Sequence, residues 1–209
     1  MGSEDRSGRS RTPKGKASKN KILDMAEKVF SRKGFAASGI SDVVESLGIS
    51  AGALYHHFPS KKELMAGIAK RSMGQMCDQM DIWLVDKTLS PDEKMDLVLA
   101  SVGDRRKLKK KLTRQDLGLV SEDAEVHEMV VQAGLEPVSE RVSEIIRQGN
   151  ATGDFQVQHP RATAIMIFLL LGEYMHRSSR LEDLVPEKTL ESSFNEAVDQ
   201  MLRRNKFKA

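Results

Sequence analysis

Apolar residues recur at three- and four-residue intervals along most of this 209-residue chain. The clearest case begins after Lys19 and ends before Gly34, with the apolar positions Ile22, Leu23, Met25, Ala26, Val29 and Phe30. Such spacing places one apolar stripe along a helix, and no segment shows the alternation of a half-buried strand. The pattern predicts an all-α fold of about nine helices.

Two short apolar segments, Ile40 to Leu47 and Ala51 to Phe58, lie on either side of the tripeptide Gly48-Ile49-Ser50. Asp42 stands three residues after Gly39, so its carboxylate can accept from free amides at the start of the first segment. Ser50 is placed to cap the second segment. We therefore predict two short helices joined by a tight turn.

The remaining helices follow from capping signals. Ser60 to Glu63 has the form of a capping box and opens a long helix, and Ser90 to Glu93 repeats that form. Further helices are predicted at about 113–133, 135–149, 160–178 and 187–206, with Gly134 and the Gly149–Gly153 stretch as stops.

Positive charge is concentrated at the N-terminal end. Residues 1–62 hold 12 Lys and Arg against 6 Asp and Glu, whereas residues 63–209 hold 21 against 24. This asymmetry is typical of a chain whose N-terminal part meets a polyanion. The alternative is a basic tail without a role, because five of the twelve positive residues lie before Ala17. Met1 to Ser18 has no apolar periodicity and is predicted to be a flexible, disordered tail.

Several classes of protein are excluded by the residues present. Cys77 is the single cysteine, so no internal disulfide or multi-thiolate metal site is possible. The apolar run from Ala162 to Gly172 is shorter than the ~20 residues that cross a bilayer, and no apolar signal-peptide core is present, which predicts a cytoplasmic protein. The sequence shows no phosphate-binding glycine loop, no HExxH pair and no nucleophile constellation, so we expect neither an enzyme nor a cofactor.

Residues 39–58 have the form of a helix-turn-helix, although a plain helical hairpin has the same pattern. A longer stretch, from Ile22 to Ala69, resembles the DNA-binding domain of the TetR family of bacterial transcriptional regulators. The residues that carry the resemblance are Ala26 and Phe30, Gly34-Phe35, Asp42-Val43-Val44, Gly48-Ile49-Ser50, Leu54-Tyr55-His56-His57-Phe58, Lys61 and Leu64.

The resemblance implies a DNA-binding domain over residues 19–66 and a ligand-binding and dimerisation domain over residues 67–209. Two positions depart from the family pattern. Gly39 stands where the family usually has a hydroxyl residue, and Val44 where it has alanine. We therefore expect the helix cap to shift to Ser38 and the two short helices to pack slightly further apart.

The predicted DNA contacts are Ser38, Ser41, Ala51, Gly52, Ala53, Tyr55, His56, His57 and Lys61. Lys61 combines a cation with the free amides of a helix start, both of which bind phosphate, although a solvated lysine is the alternative. The resemblance favours a phosphate contact for Tyr55 and His57, and a groove-facing position for His56. Because the two histidines are adjacent, they point about 100° apart and cannot chelate one metal ion.

Ala51, Gly52 and Ala53 carry no side chain that can form a bidentate hydrogen bond to a base. Main-chain approach at Gly52, methyl contacts from the alanines and DNA shape are therefore expected to supply much of the sequence preference.

For the larger domain, the resemblance implies a homodimer through the last two helices, which suits the apolar Ala162–Leu171 segment. The candidate effector-binding residues are Met76, Met80, Trp83, Glu173, Tyr174 and His176, with ordinary core or surface positions as the alternative. The predicted function is a repressor released from a palindromic operator by an unknown small molecule. A DNA-binding protein of the same fold without an effector is the second hypothesis.

Two features stay open. Cys77 has no second cysteine to resolve an oxidised form, which disfavours redox sensing. The basic run from Arg105 to Lys111 is either a solvated helix face or an additional source of attraction to the DNA backbone.

Overall fold

The computed structural model describes residues 13–111, 124–176, 181 and 183–204, with side chains from residue 19 onward except those of 102–111. Within these ranges the chain forms eight helices and no strand, which confirms the all-α prediction. The helices are α1 (Pro13–Lys33), α2 (Ile40–Leu47), α3 (Ala51–His57), α4 (Lys61–Val85), α5 (Pro91–Lys111), α6 (Ala124–Thr152), α7 (Pro160–His176) and α8 (Glu187–Leu202).

Helix α1 begins earlier than the apolar pattern indicates. It starts at Pro13 rather than near Lys19, so the C-terminal end of the predicted tail is helical. Proline suits the first position of a helix because its missing N–H would be unpaired there, and the lysines and alanine that follow are good helix formers. Residues 1–12 of the predicted tail lie outside the described residues.

The N-terminal helices and the first half of α4 enclose one apolar core. Ala26 of α1, Val43 of α2, Leu54 of α3 and Leu64 of α4 are fully buried in it. Gly48 ends α2 with a positive φ of 62°, a conformation that glycine adopts without the steric cost of a side chain. The predicted tight turn between α2 and α3 is thus confirmed.

The caps of these helices follow the sequence with one exception. Ser50 accepts from the amide of Ala53 at 3.2 Å, as predicted. The cap of α2 stays at Gly39, whose N–H donates to Asp42 Oδ2 at 2.7 Å. The predicted shift of the cap to Ser38 is therefore wrong, because Ser38 is buried and donates its hydroxyl to the carbonyl of Phe35 at 3.0 Å.

A second apolar core lies among the second half of α4 and helices α5 to α8. Its fully buried residues include Met80, Met95, Ile145, Ile167 and Leu202. Helix α6 is the central element. Helix α6 runs parallel to α4, as three contacts along the two helices show: Lys62 to Glu125, Asp81 to Arg141, and Leu84 to Gln148.

Helix α6 runs antiparallel to α7. Near the start of α6, His127 contacts Glu173 at the end of α7, and further along α6, Glu140 contacts Arg161 at the start of α7.

Gly134 does not end a helix, contrary to the prediction. Helix α6 continues through it and through Pro137, so one helix replaces the two predicted on either side of Gly134. Glycine stands here because of close packing and not as a helix stop, since a Cβ at Gly134 would lie 2.8 Å from both Met73 Sδ and Phe168 Cζ. Residues 112–123, where the earlier of those two helices was predicted to begin, lie outside the described residues.

The two cores meet along α4 and at the start of α6. Val126 is buried in the first core, Met129 packs against that core, and Val130 packs against both. Helix α4 is continuous across the predicted domain boundary at residue 66 and changes from one core to the other between Ile68 and Met73. In the described part of the chain, no helix combines the length and apolar character needed to cross a membrane.

Candidate nucleic-acid interface

Helix α3 has one buried side and one open side. Leu54 and its C-cap residue Phe58 anchor it in the first core. The open side presents the backbone and small side chains of the first turn, followed by Tyr55, which is 50% exposed, and by His56. A seven-residue helix held by two apolar anchors, with its opposite face in solvent, is able to enter a groove of matching width.

The first turn of α3 can approach another molecule closely. Ala51, Gly52 and Ala53 are all exposed, and a Cβ built on Gly52 would have nothing within 4 Å. Packing inside the chain therefore does not require glycine at this position. Because glycine weakens a helix by roughly 0.5–1 kcal/mol relative to alanine, its presence here fits a need for close main-chain approach from outside.

The two histidines of α3 diverge, as their adjacency predicted. Their ring centroids are 5.4 Å apart and the ring planes meet at 68°. His56 is exposed, whereas His57 is half-buried against the helix end. Among the described residues, no group of three or more His, Cys, Asp or Glu side chains is arranged to hold a metal ion.

Lys61 has contacts that the sequence did not indicate. Its ammonium donates to the carbonyl of Phe35 and lies 4.2 Å from the centroid of the Phe35 ring. Lys61 therefore ties the start of α4 to the connection between α1 and α2. An ammonium has three N–H donors, so others stay available to a second acceptor.

The two serines near α2 differ in accessibility. Ser41 is exposed in the first turn of α2. Ser38 is buried, and its hydroxyl donates to the same Phe35 carbonyl that Lys61 binds. Ser41 is therefore accessible to solvent, whereas Ser38 forms its hydrogen bond inside the fold.

Charged pairs brace the helices that hold α3. Lys33 at the end of α1 lies 2.5 Å from Asp42 Oδ1, and this hydrogen bond, followed by that from the Gly39 N–H, lowers the pKa of Asp42. Arg71 of α4 binds Asp24 at 2.6 Å and Glu27 at 2.8 Å, both on α1. The role of Arg71 was not predictable from the sequence, because its partners are distant along the chain and no local motif joins them.

The candidate effector residues fall into two groups. Met80 is buried, and Met76 and Trp83 are half-buried, all on α4 in the second core. Glu173, Tyr174 and His176 lie at the end of α7, where Tyr174 stacks on Phe194 of α8 at 4.6 Å. Helix α6 gives the distance between the two groups. The α4 group lies near Arg141, which binds Asp81, and the α7 group lies near His127, which contacts Glu173. At a rise of 1.5 Å per residue, these two positions on α6 are roughly 20 Å apart.

A histidine of α6, His127, contacts the α7 group, although the sequence did not predict it. His127 Nε2 lies 3.1 Å from Glu173 Oε1, and the ring of His127 stacks on that of His176 at 4.2 Å. This assembly joins the start of α6 to the end of α7. No short-range signal marks His127, because its partners are brought near it only by the antiparallel packing of the two helices.

Cys77 is buried in the second core. Burial is the main cause that raises the pKa of its thiol, which disfavours the reactive thiolate and agrees with the weak prospect of redox sensing. The run from Arg105 to Lys111 belongs to the described backbone of α5, whereas its side chains lie outside the described set.

Helix α7 has apolar residues on two faces, as its sequence predicted. Ala164, Ile167 and Leu171 are buried against α6 and the second core. On the other side, Met166 is 61% exposed and Leu169 is 41% exposed. The helix thus offers an exposed apolar strip on the side away from the second core.

Comparison with known proteins connects these features to one family. Residues 22–68 match the profile described as "Bacterial regulatory proteins, tetR family", and residues 109–205 match that of the "AefR-like transcriptional repressor, C-terminal domain". Together the two profiles cover most of the described chain.

A curated relative and two solved structures are similar to the chain. The HTH-type transcriptional repressor KstR2 of Mycolicibacterium smegmatis is 31% identical over 85 residues, which are 40% of this chain and 41% of KstR2. The chain spans less than half the length of the first curated relatives that it matches.

The crystal structure of a TetR-family transcriptional regulator from Pectobacterium atrosepticum has a TM-score of 0.70 and 22% identity, covering 92% of this chain and 96% of that one. The transcriptional regulator FadR from Bacillus subtilis, solved in complex with stearoyl-CoA, has a TM-score of 0.59 and 20% identity, covering 88% of this chain and 97% of that one. At these identities the two structures show a shared fold.

Proposed function

Because the chain belongs to the TetR family of bacterial regulatory proteins, we propose that it is a DNA-binding transcriptional repressor, homodimeric and released from its operator by a small-molecule effector. The observation that carries the proposal is the open face of α3, which is anchored by Leu54 and Phe58 and presents its small first turn to solvent. The proposal places the protein with the chromosome in the bacterial cytoplasm and includes no catalytic step.

In this proposal α3 lies in the major groove of the operator. Ala51, Gly52 and Ala53 approach the base edges, where alanine methyl groups meet thymine methyl groups and the backbone follows the groove. His56 faces the groove beside them. The contacts assigned to the phosphates are those of Ser41, Tyr55, His57 and Lys61, which are exposed or half-buried around the same face.

The proposed dimer forms through α7 and α8. The exposed Met166 and Leu169 supply the apolar strip, and a two-fold dimer presents two α3 helices to successive turns of a palindromic operator. Burying this strip removes apolar surface that a monomer would leave in water.

The proposed effector binds in the C-terminal domain, residues 67–209. The fold can accommodate an apolar ligand, as the FadR complex with stearoyl-CoA illustrates for that protein. Glu173 and His176, assembled with His127, offer polar groups at the end of α7 closest to the first core, while Met76 and Trp83 offer flexible apolar surface on α4.

The start of α6 provides a physical route between effector and DNA. Val126 is part of the first core and Val130 packs against both cores, so a shift of α6 displaces residues that support α3. If the effector weakens operator binding by a given factor, operator DNA must weaken effector binding by the same factor.

The DNA-binding proposal is tested by selecting duplexes from a random library with the whole chain. We expect a palindromic sequence to be enriched and to bind with higher affinity than unrelated DNA. Ala53→Glu, on the exposed face of α3, should abolish the selection because a carboxylate is repelled by the phosphates. Ala100→Glu, exposed on α5, is the matched control and should retain it. Absence of any enriched sequence would contradict the proposal.

The dimer is tested by sedimentation of Met166→Glu and Leu169→Glu. Each variant should shift the native chain from dimer toward monomer, because a buried carboxylate in an apolar interface is costly. Ile82→Glu is the control, since Ile82 is 60% exposed on α4, away from the proposed interface. A native chain that sediments as a monomer, or a Met166→Glu variant that stays dimeric, would refute the assigned interface.

A further inference from the structure

Helix α3 has one side chain that points away from its buried anchors and is able to form hydrogen bonds. Leu54 and Phe58 hold the helix in the first core, and His56 lies two positions from each of them. At about 100° per residue, His56 is therefore about 160° around the helix from both anchors. Its side chain is exposed, so His56 stands at the centre of the outward face.

The other two polar side chains of α3 lie nearer to the anchored side. Tyr55 follows Leu54 directly, about 100° from it, and His57 comes three positions after Leu54, about 60° from it. The structure agrees with these angles, since Tyr55 is 50% exposed and His57 is half-buried. Both side chains thus flank the outward face, where the phosphates of a bound duplex lie, whereas His56 faces the base edges.

The imidazole of His56 forms no hydrogen bond or ion pair with a described residue. Its one ring contact is with His57, edge to face, at 5.4 Å between centroids. In its neutral tautomers and in its protonated form, the ring carries at least one N–H donor. That donor is therefore available to an acceptor outside the chain.

The first turn of α3 allows this short side chain to reach a base. In a helix the Cα–Cβ bond tilts toward the N-terminus, so His56 leans over Gly52 and Ala53, four and three positions before it. Neither residue carries more than a methyl group, and a Cβ built on Gly52 would have nothing within 4 Å. The backbone is thus able to lie deep in the major groove, which compensates for a side chain shorter than that of arginine.

The base edges in the major groove select one partner for a donor at this position. Guanine presents two acceptors, N7 and O6, whereas adenine presents an acceptor beside an amino donor and cytosine presents a donor. Thymine presents an acceptor beside a methyl group, which suits the methyl groups of Ala51 and Ala53. An imidazole N–H that donates without accepting is therefore matched best by guanine.

We infer that His56 is the base-reading side chain of α3 and that it donates a hydrogen bond to N7 of one guanine in each operator half-site. This role rests on the proposed function, because His56 meets a base only if α3 enters the major groove. It gives the operator a required guanine, which the small first turn of α3 is unable to specify by a side-chain hydrogen bond.

The direct test removes the acceptor atom from the DNA. The operator is selected from a random library with the whole chain, and each guanine of the half-site is then replaced in turn by 7-deazaguanine, which pairs with cytosine but has a C–H in place of N7. At one position this replacement should weaken binding of the native chain at least about fivefold, the lower end of the range for a specific base contact. It should not change the affinity of His56→Ala, which lacks the donor.

A substitution at His56 should also change the preferred base. Glutamine binds adenine through both its amide donor and its amide oxygen. His56→Gln should therefore bind the operator with adenine at that position at least as tightly as with guanine, whereas the native chain should prefer guanine. His56→Ala should bind both duplexes equally. Because His56 is exposed and has no hydrogen-bond partner in the described chain, neither variant should change the Tm.

Two other histidines provide the controls. His57→Ala removes the adjacent ring, so it should weaken binding to the operator and to unrelated DNA by the same factor and keep the effect of 7-deazaguanine. His159→Gln, exposed just before α7, should bind both duplexes like the native chain. If His56→Ala behaves like His57→Ala, His56 contacts a phosphate and the inference is overturned.

Failure of this inference differs from failure of the proposed function. If the native chain selects an operator, but 7-deazaguanine changes the affinities of the native chain and of His56→Ala by the same factor at every position, the inference is overturned and the repressor proposal stands. A selected half-site without guanine has the same meaning. If the native chain selects no sequence at all, the proposed function itself fails.

Discussion

Lys62, in the first turn of α4, forms an ion pair with Glu125, in the first turn of α6. The pair lies at the junction where Val126 enters the core beneath α3. It therefore connects the helix that follows α3 to the central helix of the C-terminal domain. Both side chains are solvent-exposed, so we expect this link to influence domain coupling more than overall stability.

We expect Glu125→Gln to weaken operator binding by about two- to tenfold, because α6 then holds the start of α4 less firmly. Exchange of the charges, Lys62→Glu with Glu125→Lys, should restore part of the loss. Affinity is measured by fluorescence anisotropy, and the ratio of native to variant affinity should shrink as salt rises from 50 to 200 mM, because salt screens exposed pairs. Glu128→Gln, on the exposed side of α6, is the control, and an equal effect in both single variants would contradict the link.

Gly52→Ala should separate folding from DNA binding. An alanine Cβ has open space at this helical position, so the substitution should raise the free energy of unfolding by up to about 1 kcal/mol. The added methyl group should nevertheless weaken operator binding or change the preferred sequence. Gly74→Ala is the matched control, since Gly74 also has open space, on α4. If both variants bind the operator like the native chain, close approach at Gly52 is not needed.

Gly149→Ala should be strongly destabilising. Gly149 is buried in α6, and a Cβ there would overlap the ring of Phe155, which is itself fully buried. The cost of displacing the ring should exceed the helical gain and lower the free energy of unfolding by roughly 2–4 kcal/mol. Urea unfolding measures it. In a Phe155→Ala background the same change should cost much less, and additive effects would argue against a direct clash.

The stability of α2 should depend on pH through Asp42. Hydrogen bonds from Lys33 and from the Gly39 N–H hold the pKa of Asp42 below its ordinary value of 3.8 in the folded chain. A lowered folded-state pKa means that the stabilisation is complete above the unfolded pKa and is lost as the pH falls through the folded value. The difference in Tm between the native chain and Asp42→Asn should thus be largest near neutral pH and shrink below pH 3.8. Glu45→Gln, exposed on the same helix, is the control. If the difference in Tm between the native chain and Asp42→Asn stays constant down to pH 3, Asp42 does not have this role.

The N-terminal third of the chain was predictable because its signals are local. The apolar spacing of α1, the caps Ser50 and Ser60 and the left-handed Gly48 act within a few residues, so the sequence alone predicted α2, α3 and the start of α4. The same locality explains the error at Ser38. Its hydroxyl faces the Phe35 carbonyl inside the fold, and no pattern of spacing shows which of two adjacent positions turns inward.

The helical class and the helix-turn-helix follow from the sequence because periodicity and capping are properties of neighbouring residues. The family follows from the residues between Ile22 and Ala69 that resemble its DNA-binding domain. The tertiary structure decided that α6 passes through Gly134, that His127 joins Glu173 and His176, and that Met80 is distant from that group. It also decided that Lys61 binds Phe35 and that Lys62 reaches Glu125. These outcomes depend on how helices distant in the chain pack, and the physical reason is that a glycine or a charge acquires its role only from the atoms brought next to it.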